Sequence, residues 1–91
     1  MPSFIPFHMY TVYIMYSPVY NKIYIGYTSD LGSRMLSHNF LSHKGWTRKF
    51  RPWLVIHTEI YPTKAEAMVR EKELKGAKGR AWIHQTLLHK K

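Results

Sequence analysis

With 91 residues the chain has room for one domain with a small core, and 45% hydrophobic content, including 15% aromatic, suffices for folding without covalent staples. Fourteen Lys and Arg against five Asp and Glu give a net charge of +9, so the expected partner is a polyanion. The lack of cysteine excludes disulfides and thiolate zinc sites, and no apolar run nears the roughly 18 residues a membrane-spanning helix needs.

In chain order, Met1 to His8 have neither a basic segment nor a long apolar stretch and do not read as a signal peptide. Residues 1–9 are read as a leader, with Met9 as an alternative start, and residues 10–91 as a single domain. Thr11 to Ser17 and Lys22 to Thr28 are rich in β-branched and aromatic residues, and Pro18-Val19-Tyr20-Asn21 between them predicts a hairpin. Asp30 offers an N-cap for a helix from about Leu31 to Phe40. Ser42 to Arg51 has Gly45 and four basic residues but no period, and is expected to be a loop. Trp53 to Ile60 returns to strand character. Thr63 with Glu66 three residues on forms a capping box that starts a helix running to about Lys75. Gly76 and Gly79 punctuate the chain, and a last helix is expected from about Arg80 to His89. The predicted order is β-β-α-β-α-α, an α+β arrangement.

Side-chain direction narrows the search for chemistry. Residues two apart in a strand share a face, so Tyr24 and Gly26 lie together, opposite Ile23, Ile25 and Tyr27, and theirs is read as the polar, open face. A glycine within a strand marks either a close approach of another group or a bulge. Arg34 and His38, four apart, are neighbours on one helical face; they either address one phosphate together or belong to an ordinary solvated surface. Ala67, Glu71 and Leu74 fall on one stripe of the second helix, which places a carboxylate towards the sheet. A buried carboxylate needs a cation or an ion pair, and Lys75, four residues on, could supply the pair.

These residues resemble the GIY-YIG nucleases. That pattern has a Tyr-containing first triplet, here Val12-Tyr13-Ile14, then Tyr24-Ile25-Gly26, an Arg ten residues after that Tyr, a His four later, and a Glu on a later helix. The resemblance runs from about Tyr10 to Ile83 and is similar in extent to the small stand-alone bacterial members. It departs in three places: Val12 replaces the family's Gly, Tyr27 stands where some repair members have Lys, and no Asn follows Asn39. The resemblance implies a small three-stranded antiparallel sheet flanked by helices and a metal-dependent endonuclease. Glu71 would ligate one divalent cation, Mg²⁺ or Mn²⁺, and Tyr24 would activate water with Tyr13 hydrogen-bonded nearby. Arg34 would stabilise charge on the phosphate, and His38 would orient or protonate a phosphate oxygen or the network around it. A bacterial cytoplasmic location, near the nucleoid, goes with it.

Binding is a separate question. Gly26, Lys44, Arg48, Lys49, Arg51 and Lys75 are the candidate nucleic-acid contacts, with His43 and Thr47 as further polar candidates from the loop. Such charges hold a phosphate backbone without reading sequence, so the expected partner is DNA, branched, nicked or damaged, with weak sequence preference. Trp46 is either a stacking surface for a base or part of the core, while Trp53, Trp82 and His57 are assigned to the structure. A partner protein could supply selectivity. The rival readings are a non-catalytic nucleic-acid-binding module and a basic accessory protein on an acidic partner.

Overall fold

The computed structural model describes residues 9–88, so all of the expected leader but Met9, and the His89 end of the last predicted helix, lie outside the described residues. Strands β1 (Tyr10–Ser17) and β2 (Lys22–Thr28) form the predicted hairpin, and β3 (Leu54–Tyr61) pairs with β1 on its other side, giving an antiparallel sheet of order β2-β1-β3. The turn closes because Asn21 takes a positive φ of 55° and its N–H donates to the Ser17 carbonyl at 2.7 Å. Asparagine tolerates this left-handed backbone better than most residues.

Central strand β1 is covered on both faces. Val12 and Ile14 are fully buried with Ile25, Ala67, Leu74 and Ile83, while Tyr13 and Met15 point the other way and join Trp53. One face is thus packed by helices α2 (Lys64–Lys75) and α3 (Ala77–Trp82), and the other by α1 (Leu31–Leu36) and the segment after it. The Tyr24 face is therefore not open along its length, contrary to the sequence reading. Small domains have too little apolar material to leave a strand uncovered, and Leu31, Met35 and Phe50 close over it.

Helix starts follow the sequence signals. Asp30 Oδ1 accepts from the Ser33 N–H at 3.0 Å, and Thr63 Oγ1 accepts from the Glu66 N–H at 3.2 Å. The first helical segment ends near the expected Phe40, but its last turn, the loop after it and the last helix differ from expectation. Helix α1 runs on as a π-helical turn over Ser37–Leu41, and the expected loop contains a 3₁₀ turn, Trp46–Phe50. Helix α3 starts at Ala77 and continues as a π-helical turn over Ile83–Leu87, so Gly79 lies inside a helix. A Cβ at Gly79 would collide with the backbone of Glu73 and Leu74, which is why two helices can meet so closely there. No helix among the described residues is long and apolar enough to cross a membrane.

One polar cluster locks β3 to α2. Glu59 accepts from Arg70 Nε at 2.8 Å and Nη2 at 3.1 Å, from the Tyr61 hydroxyl at 2.7 Å, and lies 2.7 Å from His57 Nε2. Trp82 covers the cluster, packing on His57 and Arg70. The Arg70 guanidinium, with help from His57 and Tyr61, holds the Glu59 carboxyl at about 2, below its usual 4.5. The stabilisation is therefore present above pH 4.5 and lost as pH falls through about 2. Glu59→Gln should cost about 1–2 kcal/mol at pH 7. Thermal unfolding of the variant should also lose less between pH 4.5 and 2 than the wild type does.

Candidate active site

Strand β2 is an edge strand, and its Gly26–Thr28 end borders a cleft of about 460 Å³ that wraps over the edge of the sheet. Tyr24, Gly26, Tyr27 and Thr28 contribute from β2, Arg34 from α1, and Glu71 and Lys64 from α2. Three elements far apart in sequence thus bring Tyr24, Arg34 and Glu71 together. A larger cleft, about 600 Å³, lies where α3 meets α2, but its charged Arg70 and Glu73 are paired with each other at 3.3 Å.

Gly26 is explained by close approach, not by a bulge. It pairs directly with Tyr13 across the hairpin, and the register there is regular; the irregularity in the sheet falls instead between Ile14 and Met15 against β3. A Cβ at Gly26 would sit 2.8 Å from the Tyr13 hydroxyl oxygen and 2.9 Å from its ring carbon. The Tyr13 phenol therefore occupies the space that any side chain at Gly26 would need.

Tyr13 is 1% exposed, and its hydroxyl lies 2.8 Å from His38 Nε2. On the far side of the imidazole, His38 Nδ1 is 3.1 Å from Thr47 Oγ1. Burial, with Tyr24 beside it, pushes the Tyr13 phenol well above its usual value of 10, while Arg34 opposes the shift. Burial together with the Arg34 and Arg51 guanidinium groups pushes the His38 imidazole below its usual 6.5. The pair is thus a protonated phenol and a neutral imidazole near pH 7. The hydrogen bonds run either from Tyr13 through His38 to Thr47 or in reverse, and only the reverse direction frees the Tyr13 hydrogen to donate elsewhere.

Of the roles the sequence left open to His38, this arrangement fits a place in the network behind the cleft. Both ring nitrogens are engaged, and the residue stands behind Tyr13 and Tyr24 instead of lining the cleft. Its geometry fits positioning of Tyr13 better than protonation of a phosphate oxygen. Arg51, one of the candidate nucleic-acid contacts, is engaged within the protein. Its guanidinium donates to the carbonyls of His38 at 2.6 Å, Ser42 at 2.7 Å and Ser37 at 3.2 Å, so it satisfies the end of the π-helical turn. Lys44, Arg48 and Lys49 are exposed and have no carboxylate partner among the described residues.

Glu71 both lines the cleft and pairs with Lys75. Its side chain is 21% exposed in the cleft, and Lys75 Nζ lies 3.1 Å away. No cluster of three or more metal-ligating side chains occurs among the described residues. An ion at Glu71 would have one carboxylate ligand, with water and phosphate oxygens for the rest, and a hard, partly hydrated cation accepts that set. Arg34, Lys64 and Lys75 add positive charge around it, which favours entry of the ion together with a phosphate. Lys64 and Tyr10 were missed by the sequence reading. Lys64 could have been found, since it precedes Glu71 by two helical turns on the stripe through Ala67.

Residues 9–84 match the GIY-YIG catalytic domain. The chain belongs to the GIY-YIG nuclease family. It is 36% identical over 55 residues to a UPF0213 protein of Staphylococcus haemolyticus, covering 60% of this chain and 67% of that protein. It is 42% identical over 55 residues to one of Bacillus velezensis, covering 60% of this chain and 56% of that protein. The solution NMR structure of a UPF0213 protein from Bacillus halodurans superposes with a TM-score of 0.51 at 28% identity, over 85% of this chain and 83% of that one. This agrees with the three-stranded α+β fold read from the sequence.

The contact of Tyr13 with Gly26 can be tested by a double-mutant cycle. Gly26→Ala should destabilise the domain by about 1–3 kcal/mol in denaturant unfolding, as overpacking does. In a Tyr13→Leu background the same substitution should cost much less, because the phenol is gone.

Proposed function

We propose that this domain is a divalent-metal-dependent endonuclease that hydrolyses phosphodiester bonds in DNA with weak sequence preference. The observation that carries the reading is the meeting of Tyr24, Arg34 and Glu71 in one cleft at the edge of β2. Arg34 is exposed, lies beside the Tyr13 hydroxyl and has no carboxylate partner among the described residues, so the rest of its planar fork suits phosphate oxygens. Lys64 adds a second charge for the neighbouring backbone.

Tyr24 supplies the cleft's phenol and is assigned to orient and activate the attacking water. Tyr13, kept protonated by burial and hydrogen-bonded with His38, steadies Tyr24 through ring packing at 6.2 Å. Glu71 would hold Mg²⁺ or Mn²⁺, which when bound offsets phosphate charge and makes water more acidic. Arg34 then offsets the charge that grows on the phosphate as the bond to the leaving sugar oxygen breaks. A role in DNA repair or recombination, on branched, nicked or damaged DNA in the bacterial cytoplasm, fits a small basic module with no extended reading helix among the described residues. A partner protein would supply further selectivity.

The ion pair between Glu71 and Lys75 favours a second reading, a non-catalytic nucleic-acid-binding module. Cleavage by substituted proteins separates the two. Glu71→Gln should abolish Mg²⁺- or Mn²⁺-supported cleavage of labelled DNA while leaving binding intact. Arg34→Ala should slow it by roughly 10²–10³-fold, the usual loss when a preorganised charge-stabilising donor is removed. Wild-type rates in both variants would remove the cleft from the chemistry, and a wild-type protein without cleavage on any DNA form would support the binding module.

A further inference from the structure

Trp46 opens the 3₁₀ turn that carries Arg48 and Lys49, yet 46% of its surface is exposed. It packs against Tyr24 of the cleft with ring centroids 6.5 Å apart and planes 27° from parallel, and against Phe50 and Trp53 at 4.7 and 5.8 Å. Thr47, the next residue, is 8% exposed, faces His38 Nδ1 through its hydroxyl and accepts the Trp53 indole N–H on its carbonyl at 2.7 Å. The turn is therefore pinned from beneath while nearly half of the indole stays in water.

That exposure has an energetic consequence, because apolar surface left in water forgoes roughly 25 cal/mol per Å². A ring already held by its neighbours loses little further freedom when a ligand stacks on it. Lys44, Arg48 and Lys49 lie within three residues of it in the chain, are exposed and have no carboxylate partners among the described residues. A fixed, exposed ring on a loop that carries unpaired cations is suited to an unpaired nucleobase, whose π-face stacks while the charges track its backbone. Bases inside an intact duplex have both faces stacked already and cannot use such a ring.

Resting on the nuclease reading above, we propose that Trp46 is a stacking platform for one unpaired base beside the phosphate held at Arg34, so that DNA with a flap, gap or branch is preferred over intact duplex. The platform lies one ring away from the cleft, since Tyr24 belongs to both. It accounts for a substrate preference by DNA form without any reading of sequence.

The test is binding measured in EDTA, which reads recognition independently of cleavage. The probes are a flapped DNA with 2-aminopurine as the unpaired junction base and a fully matched duplex of the same sequence. The wild type should bind the flap more tightly and quench its 2-aminopurine. Trp46→Ala should lose the quenching and bind the flap about ten-fold more weakly, with duplex binding changed less than about two-fold. Trp46→Phe should keep most of both signals. Trp46→Leu, which refills the contacts with Phe50 and Trp53 without a π-face, should behave like Trp46→Ala at unchanged circular dichroism. Quenching that survives Trp46→Ala, equal loss on both DNAs, or no wild-type preference for the flap would overturn the platform. Selective flap binding without cleavage in Mg²⁺ would count against the nuclease reading alone.

Discussion

The packing of the Tyr13 phenol over Gly26 is the constraint on which the rest of the site depends. A tyrosine on a central strand can bury its ring over the neighbouring strand only where that strand has no side chain, and Gly26 is the direct cross-strand partner of Tyr13. With the ring in that place, its hydroxyl reaches His38 at 2.8 Å and so sets where the π-helical turn must pass. The same turn brings His38 to Thr47, and the Arg51 guanidinium ties the carbonyls of Ser37 and His38 to that of Ser42. Arg34 precedes that turn by one helical turn and reaches the cleft. One missing Cβ thus couples the hairpin, the first helix and the basic loop.

Electrostatics follows from the small number of acids. Asp30 and Glu66 are used near helix starts, Glu59 is held by Arg70, and Glu73 meets the same arginine on the α2 surface. Glu71 is the carboxylate that lines the cleft, and the cations around it exceed its charge. Such a site attracts a phosphate more strongly than it attracts a free cation. The basic loop extends that field beyond the cleft, because Lys44, Arg48 and Lys49 have no acids to pair with among the described residues.

Much of this was legible in the sequence where the signal was local or periodic. Asp30 and Thr63 marked the helix starts they cap, β-branched and aromatic residues marked the strands, and the spacing of Tyr24, Arg34 and Glu71 pointed to residues that one cleft collects. What escaped depends on tertiary contact. The occupation of both His38 nitrogens and of the Arg51 guanidinium follows from a loop folding back, and no period in residues 42–51 announces it. The helical start at Ala77 was hidden by Gly79, whose low intrinsic helix preference is overridden by close packing on α2. The choice between a bulge and a close approach at Gly26 also required the ring of Tyr13 to be in view.

The central claim is that the β2-edge cleft receives a nucleic-acid phosphate on Arg34. The Arg34 side-chain Nε–Hε resonance, followed by NMR while short duplex DNA is added without divalent metal, tests it most directly. The account predicts that this resonance shifts with the Gly26 and Thr28 amides, saturates with them, and that Arg34→Lys weakens the binding. Perturbations confined to the face formed by α2 and α3 around Trp82, with the Arg34 and Gly26 signals unmoved at saturation, would contradict it.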